Sequence, residues 1–97
     1  MVLKIAGKNL DIGQALRTRI DETVTDTVHK YFDRGYSGQV TVSKAGHVFE
    51  TDLALHLDTG AVFEVHGADA DAHTSFGQAA ERLAKQLRRY KRRLKDH

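Results

Sequence analysis

The sequence contains no cysteine, no proline and no tryptophan among its 97 residues. Without cysteine there is neither a disulfide nor a cysteine-ligated metal site, so the packing of apolar side chains has to hold the fold together. No apolar run approaches the roughly 20 residues needed to cross a membrane, and the N-terminus lacks the apolar stretch of a signal peptide. Length and composition therefore predict one domain, residues 1–97, in a soluble cytoplasmic protein.

Positive charge is scarce in most of the chain and concentrated at its C-terminal end. Residues 78–97 carry eight basic and two acidic side chains, a net charge of +6. The remaining 77 residues carry seven basic and eleven acidic side chains, a net charge of −4. A basic segment on a mildly acidic body favours a polyanionic partner, although a solvated helix end has the same composition.

Apolar residues that alternate with polar ones predict four strands. The predicted strands cover residues 1–6, 38–44, 49–57 and 61–66. The glycine-containing segment before the second strand is predicted to be a loop. In that loop Tyr36 either packs on the surface or is free to stack on a base.

Apolar residues at spacings of three and four predict two helices. The first begins near Gly13, with Asp11 as the expected N-cap, and runs for about five turns. Its apolar stripe consists of Leu16, Ile20, Val24 and Val28, and it is extended by Tyr31 and Phe32, which are expected to be core residues. The second helix follows Asp71, another expected N-cap. Its stripe is expected to pack on the sheet and consists of Phe76, Ala80, Leu83, Leu87, Tyr90 and Leu94.

The hairpin between the third and fourth strands can form in two registers. A two-residue loop would pair Leu55 with Glu64, which brings a charge onto the apolar face. A three-residue loop at residues 58–60 pairs Leu55 with Phe63, and every inward-facing pair is then apolar. We predict the three-residue loop, in which Gly60 occupies the left-handed position.

The order strand, helix, three strands, helix predicts an α+β fold with a four-stranded sheet. A helix that crosses between two strands of one sheet joins them in parallel. The first two strands are therefore expected to be parallel and the other pairs antiparallel. Both helices are expected to cover one apolar face of the sheet and to leave the other face in water.

The second helix carries the strongest functional signal. Its basic side chains cover the solvent side of the helix, and only Glu81 offers a partner within it, at Lys85. Five of its eight cations are arginines, whose guanidinium groups bind phosphate in a bidentate way and stack on bases. Such a helix suits folded RNA, which is recognised mainly through phosphates and sugars.

Other kinds of site find little support in the sequence. His47, His56, His66 and His73 are scattered, and none belongs to the i, i+4 pair of a helical metal site. His66 is instead expected to face Asp52 across the hairpin as a surface pair. Because neither a nucleophile elbow nor a pair of carboxylates stands out, we expect no enzyme activity, no metal and no cofactor.

Several segments resemble one known family. Residues 3–12 followed by Ala15-Leu16-Arg17 are similar to the start of the bacterial ribosome hibernation promoting factors and ribosome-associated inhibitors. The same family is resembled by Asp71-Ala72-His73 and by residues 80–87 and 91–95. The similarity in order and spacing extends over essentially the whole chain, and the pattern of the last helix is its most specific part.

The resemblance implies binding to the small ribosomal subunit, to its 16S-type RNA and nearby ribosomal proteins, between head and body. There the domain would occupy the mRNA channel, overlap the tRNA anticodon sites and inhibit translation by steric occupancy. The RNA-binding positions implied on the last helix are Arg82, Lys85, Arg88, Arg89, Lys91, Arg92, Arg93 and Lys95. Lys8 and Arg17, near the first strand–helix junction, are further candidates.

The resemblance departs from the family at one position, and it leaves open whether the chain is a short or a long family member. The family often has a tyrosine where this chain has His73, so a stacking role at that position is in question. Family members are short, or long with a C-terminal domain that dimerises ribosomes. The chain corresponds either to a short member or to the N-terminal domain of a long one, and its arginine-rich ending is more similar to the long type.

Two other functions fit the same outline, a double-stranded RNA-binding module and a protein-interaction module. Double-stranded RNA-binding domains usually have a lysine cluster at the start of their last helix, whereas residues 69–75 are acidic and polar here. A protein-interaction module would use the exposed face of the sheet, on which no large apolar patch is expected.

Overall fold

The structure, a computed structural model that describes residues 2–95, confirms the α+β fold class. Its elements are β1 (Val2–Lys8), α1 (Gln14–Tyr31), β2 (Tyr36–Ala45), β3 (Val48–Leu57), β4 (Val62–Asp69) and α2 (Ala72–Lys95). Met1, which the sequence places in the first strand, lies outside the described residues. Every predicted element is present, and β1 and β4 extend beyond their predicted ends.

The four strands form one sheet in the order β1-β2-β3-β4. β1 and β2 are parallel and the other two pairs are antiparallel, as predicted. In the last hairpin Leu55 lies opposite Phe63, and the Leu57 amide donates to the Ala61 carbonyl oxygen at 2.9 Å. Gly60 has a φ of +94°, so the predicted three-residue loop is confirmed.

A single apolar core joins one face of the sheet to both helices. Each layer contributes side chains that are at most 1% exposed: Ile20 and Val28 from α1, Val40 and Leu55 from the sheet, Phe76 and Leu87 from α2. The alternate strand positions, such as Gln39, His56 and Glu64, are exposed on the opposite face. Period-two alternation therefore decides which face the helices cover.

α2 approaches β4 most closely at Gly67. A Cβ added to this glycine would overlap the carbonyl oxygen of Ser75 and lie 3.0 Å from the Ala79 amide nitrogen. The Ser75 hydroxyl donates to the Gly67 carbonyl oxygen at 3.2 Å, and Thr51 Oγ1 lies 2.8 Å from Ser75 Oγ. Both hydroxyls are fully buried, so these bonds satisfy groups that would otherwise destabilise the core.

One expectation about α1 and one about β2 are wrong. The N-cap of α1 is Gly13, with φ −67° and ψ 163°, and no side chain caps this helix, since Asp11 lies two residues before the cap position. Tyr36 is not in a loop but begins β2, where it is 5% exposed and its hydroxyl lies 2.9 Å from Thr25 Oγ1. The inward alternation of β2 continues back beyond Gly38, at which the strand was predicted to begin.

We predict that Gly67→Ala lowers the free energy of unfolding by about 2 kcal/mol or more, because the added methyl overpacks a backbone contact that cannot move aside easily. Urea unfolding followed by circular dichroism measures the change. The matched control is Gly13→Ala, where an added Cβ meets nothing within 4 Å. It should cost at most about 1 kcal/mol, since alanine is only a poorer N-cap than glycine. Equal losses in the two variants would contradict the close approach at Gly67.

Candidate nucleic-acid interface

The start of α2 is fixed by Asp71, as predicted. Its Oδ2 accepts a hydrogen bond from the Thr74 amide at 2.9 Å and one from the Thr74 hydroxyl at 3.0 Å. These bonds, the backbone one first, lower the pKa of the Asp71 carboxyl below its ordinary value. The Asp71 amide in turn donates to Asp69 Oδ2 at 2.9 Å. The helix therefore begins at a defined residue, which sets the direction in which every later side chain points.

The two halves of α2 have different surroundings. Its buried residues all lie in the first two thirds: Ser75, Phe76, Ala79, Ala80, Leu83 and Leu87. Leu94 is 50% exposed, so its predicted packing on the sheet is wrong. Length explains this, because 24 helical residues extend for about 36 Å, whereas the eight residues of β4 extend for about 26 Å. The end of α2 therefore projects past the strand that supports its beginning.

An aromatic cluster supports the projecting part of α2. The Tyr90 ring lies 5.7 Å from the Phe32 ring and 5.6 Å from the Phe63 ring, between centroids. The Tyr90 hydroxyl lies 3.2 Å from Thr59 Oγ1 in the β3–β4 loop. Because Phe32 follows α1 and Phe63 lies on β4, this cluster joins α2 both to α1 and to the β3–β4 hairpin. The basic end of the helix thus stays attached to the domain.

The eight cations of α2 form two stripes at helical spacing. The outer stripe consists of Arg82, Lys85, Arg89 and Arg93. The α1-side stripe consists of Arg88, Lys91, Arg92 and Lys95, which line a groove together with Lys30 and Tyr31 of α1. Seven of the eight are exposed, and Lys91 is half-buried.

Contacts within the protein engage only some of these cations. The Arg82 guanidinium donates to the carbonyl oxygen of His66 on β4, and Lys91 Nζ lies 6.0 Å from the centre of the Phe32 ring. Within residues 2–95, no carboxylate comes within 4 Å of a cationic nitrogen of α2. The partner that the sequence offered, Glu81 for Lys85, is therefore not used. Positive charge on α2 remains available to an anion.

The two candidates near the first strand–helix junction lie apart from these stripes. Lys8 is exposed at the end of β1. Arg17 donates to the Ile5 carbonyl oxygen at 3.2 Å. It borders a shallow depression formed by β1 and α1, with Asp21 and Glu22 but without any residue of α2. The structure therefore does not bring Lys8 and Arg17 together with the basic end of α2.

Sequence reasoning missed three residues around α2. Lys30 and Tyr31 line the groove because the end of α1 packs beside α2. No local pattern in the sequence predicts this contact. Arg19 donates to the His73 carbonyl oxygen at 2.9 Å, lies 3.1 Å from His73 Nδ1, and stacks 5.4 Å above the Phe76 ring. The His73 imidazole is thus held in place from α1.

On the sheet surface His66 of β4 lies beside two acidic side chains of β3. His66 Nδ1 lies 2.9 Å from Asp52 Oδ1, which confirms the predicted surface pair, and Glu50 lies 3.7 Å from the other ring nitrogen.

In the part of the chain that the structure describes, no group of three or more histidine or acidic side chains is arranged to hold a metal ion. No helix of this part combines the length and apolarity of a membrane span.

Comparison with known proteins gives a consistent result. Residues 3–95 match the sequence profile of the sigma 54 modulation protein / S30EA ribosomal protein family. The chain is 50% identical over 97 residues to a ribosome hibernation promotion factor of Rhizobium meliloti, all of this chain but 51% of that protein. It is 33% identical to a ribosome hibernation promoting factor of Salmonella typhimurium, with both chains fully covered. The chain thus spans about half the length of the rhizobial relative.

Solved structures agree with the fold. The N-terminal domain of Thermus thermophilus Protein Y superposes with a TM-score of 0.82 at 28% identity and covers 90% of this chain and 94% of that domain. A ribosomal subunit interface protein from Coxiella burnetii superposes with a TM-score of 0.75 at 19% identity, over 94% of this chain and 98% of the other, which concerns the fold alone.

We predict that Asp71→Asn changes how stability responds to acid. Asparagine is an equally good N-cap but carries no charge. A lowered folded-state pKa means that ionised Asp71 stabilises the fold fully above its ordinary value of 3.8 and that this contribution is lost as the pH falls through the lower folded value. Urea unfolding from about pH 5 downward should therefore show the wild type losing stability relative to the variant.

The control for this experiment is Glu64→Gln, which removes an exposed carboxylate on the outer face of β4, away from any helix terminus. It should follow the wild type across the acid range. A stability difference between wild type and Asp71→Asn that stays constant with pH would contradict the role of the ionised cap.

Proposed function

This chain belongs to the sigma 54 modulation protein / S30EA ribosomal protein family, and on that premise we propose that it is a ribosome hibernation factor. It binds the small ribosomal subunit in the decoding region, where mRNA and tRNA anticodons would otherwise lie. Translation is inhibited because the space is filled, and no chemical step is needed. The names of the relatives support this proposal, and so do the cations of α2, which have no carboxylate of residues 2–95 within 4 Å.

The observation that carries the proposal is the charge of α2. Its cations lie on a helix whose first two thirds are held in the core, and carboxylates among residues 2–95 stay more than 4 Å from their nitrogens. Like charges at i, i+4, such as Arg89 and Arg93, destabilise a helix by a few tenths of a kcal/mol per pair. Within the described residues, this arrangement costs stability and leaves the cations without a carboxylate partner, which suits binding to the phosphates of another molecule.

Ribosomal RNA is a suitable partner for this surface. Phosphate groups supply most of the affinity in protein–nucleic acid complexes, and arginine binds them in a bidentate way. The protein acts in the cytoplasm, where ribosomes are. Dimerisation of ribosomes is part of the proposal only for a parent protein that has a further C-terminal domain.

We predict that Arg89→Glu combined with Arg93→Glu, both in the outer stripe, strongly weakens binding to small subunits. Each lost charged hydrogen bond contributes about 1.5–3 kcal/mol, so the loss should be about tenfold or more per contact. The dependence of log affinity on log salt should also become less steep by about one unit per phosphate contact. Co-sedimentation with purified small subunits over a salt series measures both quantities.

The matched control is Lys4→Glu combined with Lys44→Glu, which changes the net charge equally on exposed strand positions. This variant should bind subunits and inhibit translation in a cell-free system nearly as the wild type does. Undiminished binding by the α2 variant would overturn the proposal. Equal weakening by the two variants would show that net charge alone, and not α2, attracts the ribosome.

A further inference from the structure

A groove runs between the end of α1 and the last turns of α2. Its lining consists of Lys30, Tyr31, Arg88, Lys91, Arg92 and Lys95, and its volume is about 300 Å³. We call it the interhelix groove. Among residues 2–95, the lining contains five cations and one aromatic ring but no carboxylate. Such a combination differs from the outer stripe, which offers cations alone.

Tyr31 provides the apolar surface of the interhelix groove. Its side chain is half-buried, and Lys30 Nζ lies 5.7 Å from the centre of its ring. Among the described residues, the aromatic pairs of this region are Phe32 with Tyr90 and Phe63 with Tyr90, so Tyr31 takes no part in them. Its ring packs partly against the core, and the part that remains exposed lines the groove beside the Lys30 ammonium.

The two helix ends that form the interhelix groove are packed together. Phe32, the next residue after Tyr31, packs on Tyr90 of α2, and the Phe32 amide donates to the Val28 carbonyl oxygen at 2.8 Å. Lys91 Nζ lies 6.0 Å from the centre of the Phe32 ring. A groove whose backbone is in position before binding loses less entropy when a ligand enters.

We propose that the interhelix groove binds an unstacked nucleotide of single-stranded RNA, with its base on Tyr31 and the flanking phosphates on Lys30, Arg88 and Arg92. Aromatic side chains with neighbouring cations are the usual platform for single strands, since every base has a face on which to stack. In a duplex the base faces are covered by their neighbours. The inference rests on the proposed function, because it names which part of a folded RNA the groove takes.

An acidic peptide is the other ligand that five cations could attract. It would need the charge but not the ring. Tyr31 therefore distinguishes the two ligands, because only a base gains affinity by stacking on its ring. Replacing the ring with an aliphatic side chain of similar size should weaken the binding of a nucleotide but not that of a peptide. Phenylalanine at position 31 keeps the ring, and leucine removes it.

The experiment compares Tyr31→Leu with Tyr31→Phe. The probes are a labelled oligouridylate of about eight nucleotides, an RNA duplex of the same length and an oligoglutamate peptide, each followed by fluorescence anisotropy at one salt concentration. Tyr31→Leu should bind the single strand about tenfold more weakly, while duplex binding stays unchanged. Tyr31→Phe should bind the single strand like the wild type.

Tyrosine fluorescence provides a second readout that does not depend on a variant. The chain has three tyrosines and no tryptophan, and Tyr36 is buried in the core. Stacking on Tyr31 should quench the emission of the wild type when the single strand is added, and the quenching should be lost in Tyr31→Leu. Urea unfolding of the two variants shows whether both remain folded.

Some results would overturn the inference. These are undiminished single-strand binding by Tyr31→Leu, equal losses on the single strand and the duplex, or binding of oligoglutamate as tight as that of the oligouridylate. Its failure is distinguishable from failure of the proposed function. If subunit binding depends on Arg89 and Arg93 but not on Tyr31, only the inference about the interhelix groove is overturned. If single-stranded RNA stacks on Tyr31 but the protein does not bind subunits, only the hibernation proposal is overturned.

Discussion

The close contact between α2 and β4 at Gly67 determines where the charge of this protein lies. Because the Ser75 backbone passes where a Cβ of residue 67 would be, and because the Ser75 hydroxyl bonds to the Gly67 carbonyl oxygen, the start of α2 has one position on the sheet. A continuous helix is stiff, so fixing its start also fixes the direction of its far end. The cations beyond Leu87 are thus held on a rigid arm, and the aromatic contacts of Tyr90 keep that arm beside α1.

The division of α2 into a buried part and a charged part reconciles stability with binding. Repulsion between its cations costs only tenths of a kcal/mol per pair, whereas each large apolar side chain buried in its first part contributes about 1.5–3 kcal/mol. Phe76, Leu83 and Leu87 therefore outweigh the repulsion farther along the helix. The fold tolerates a cluster of like charges because the residues that carry it are not the residues that hold the helix in place.

The sequence predicted most of the fold and about half of the candidate site. Alternation identified the strands, and the demand for apolar inward pairs selected the hairpin register, because one slipped residue would have placed Glu64 in the core. Tyr36 was misplaced because Gly38 interrupts the visible pattern without interrupting the strand. The cations of α2 were evident, but the groove with Lys30 and Tyr31 was not, since it depends on how two helices far apart in the sequence pack together. Leu94 was misjudged for a related reason, because the spacing of a stripe does not show where the supporting strand ends.

The distribution of cations around α2 also limits the shape of an RNA that could use all of them. At 100° per residue, the positions from Lys91 through Arg88, Arg92 and Arg89 to Arg93 extend over about 200° of the helix circumference. A single duplex lying against the protein would meet one stripe and leave the other in water. Contact with phosphates on both sides therefore requires α2 to enter a cleft between separate RNA elements. In that position the interhelix groove is open to an RNA strand that crosses the cleft. A folded ribosomal RNA contains such clefts, whereas an isolated duplex does not, and this geometry favours the proposed ribosomal partner over a free double-stranded RNA.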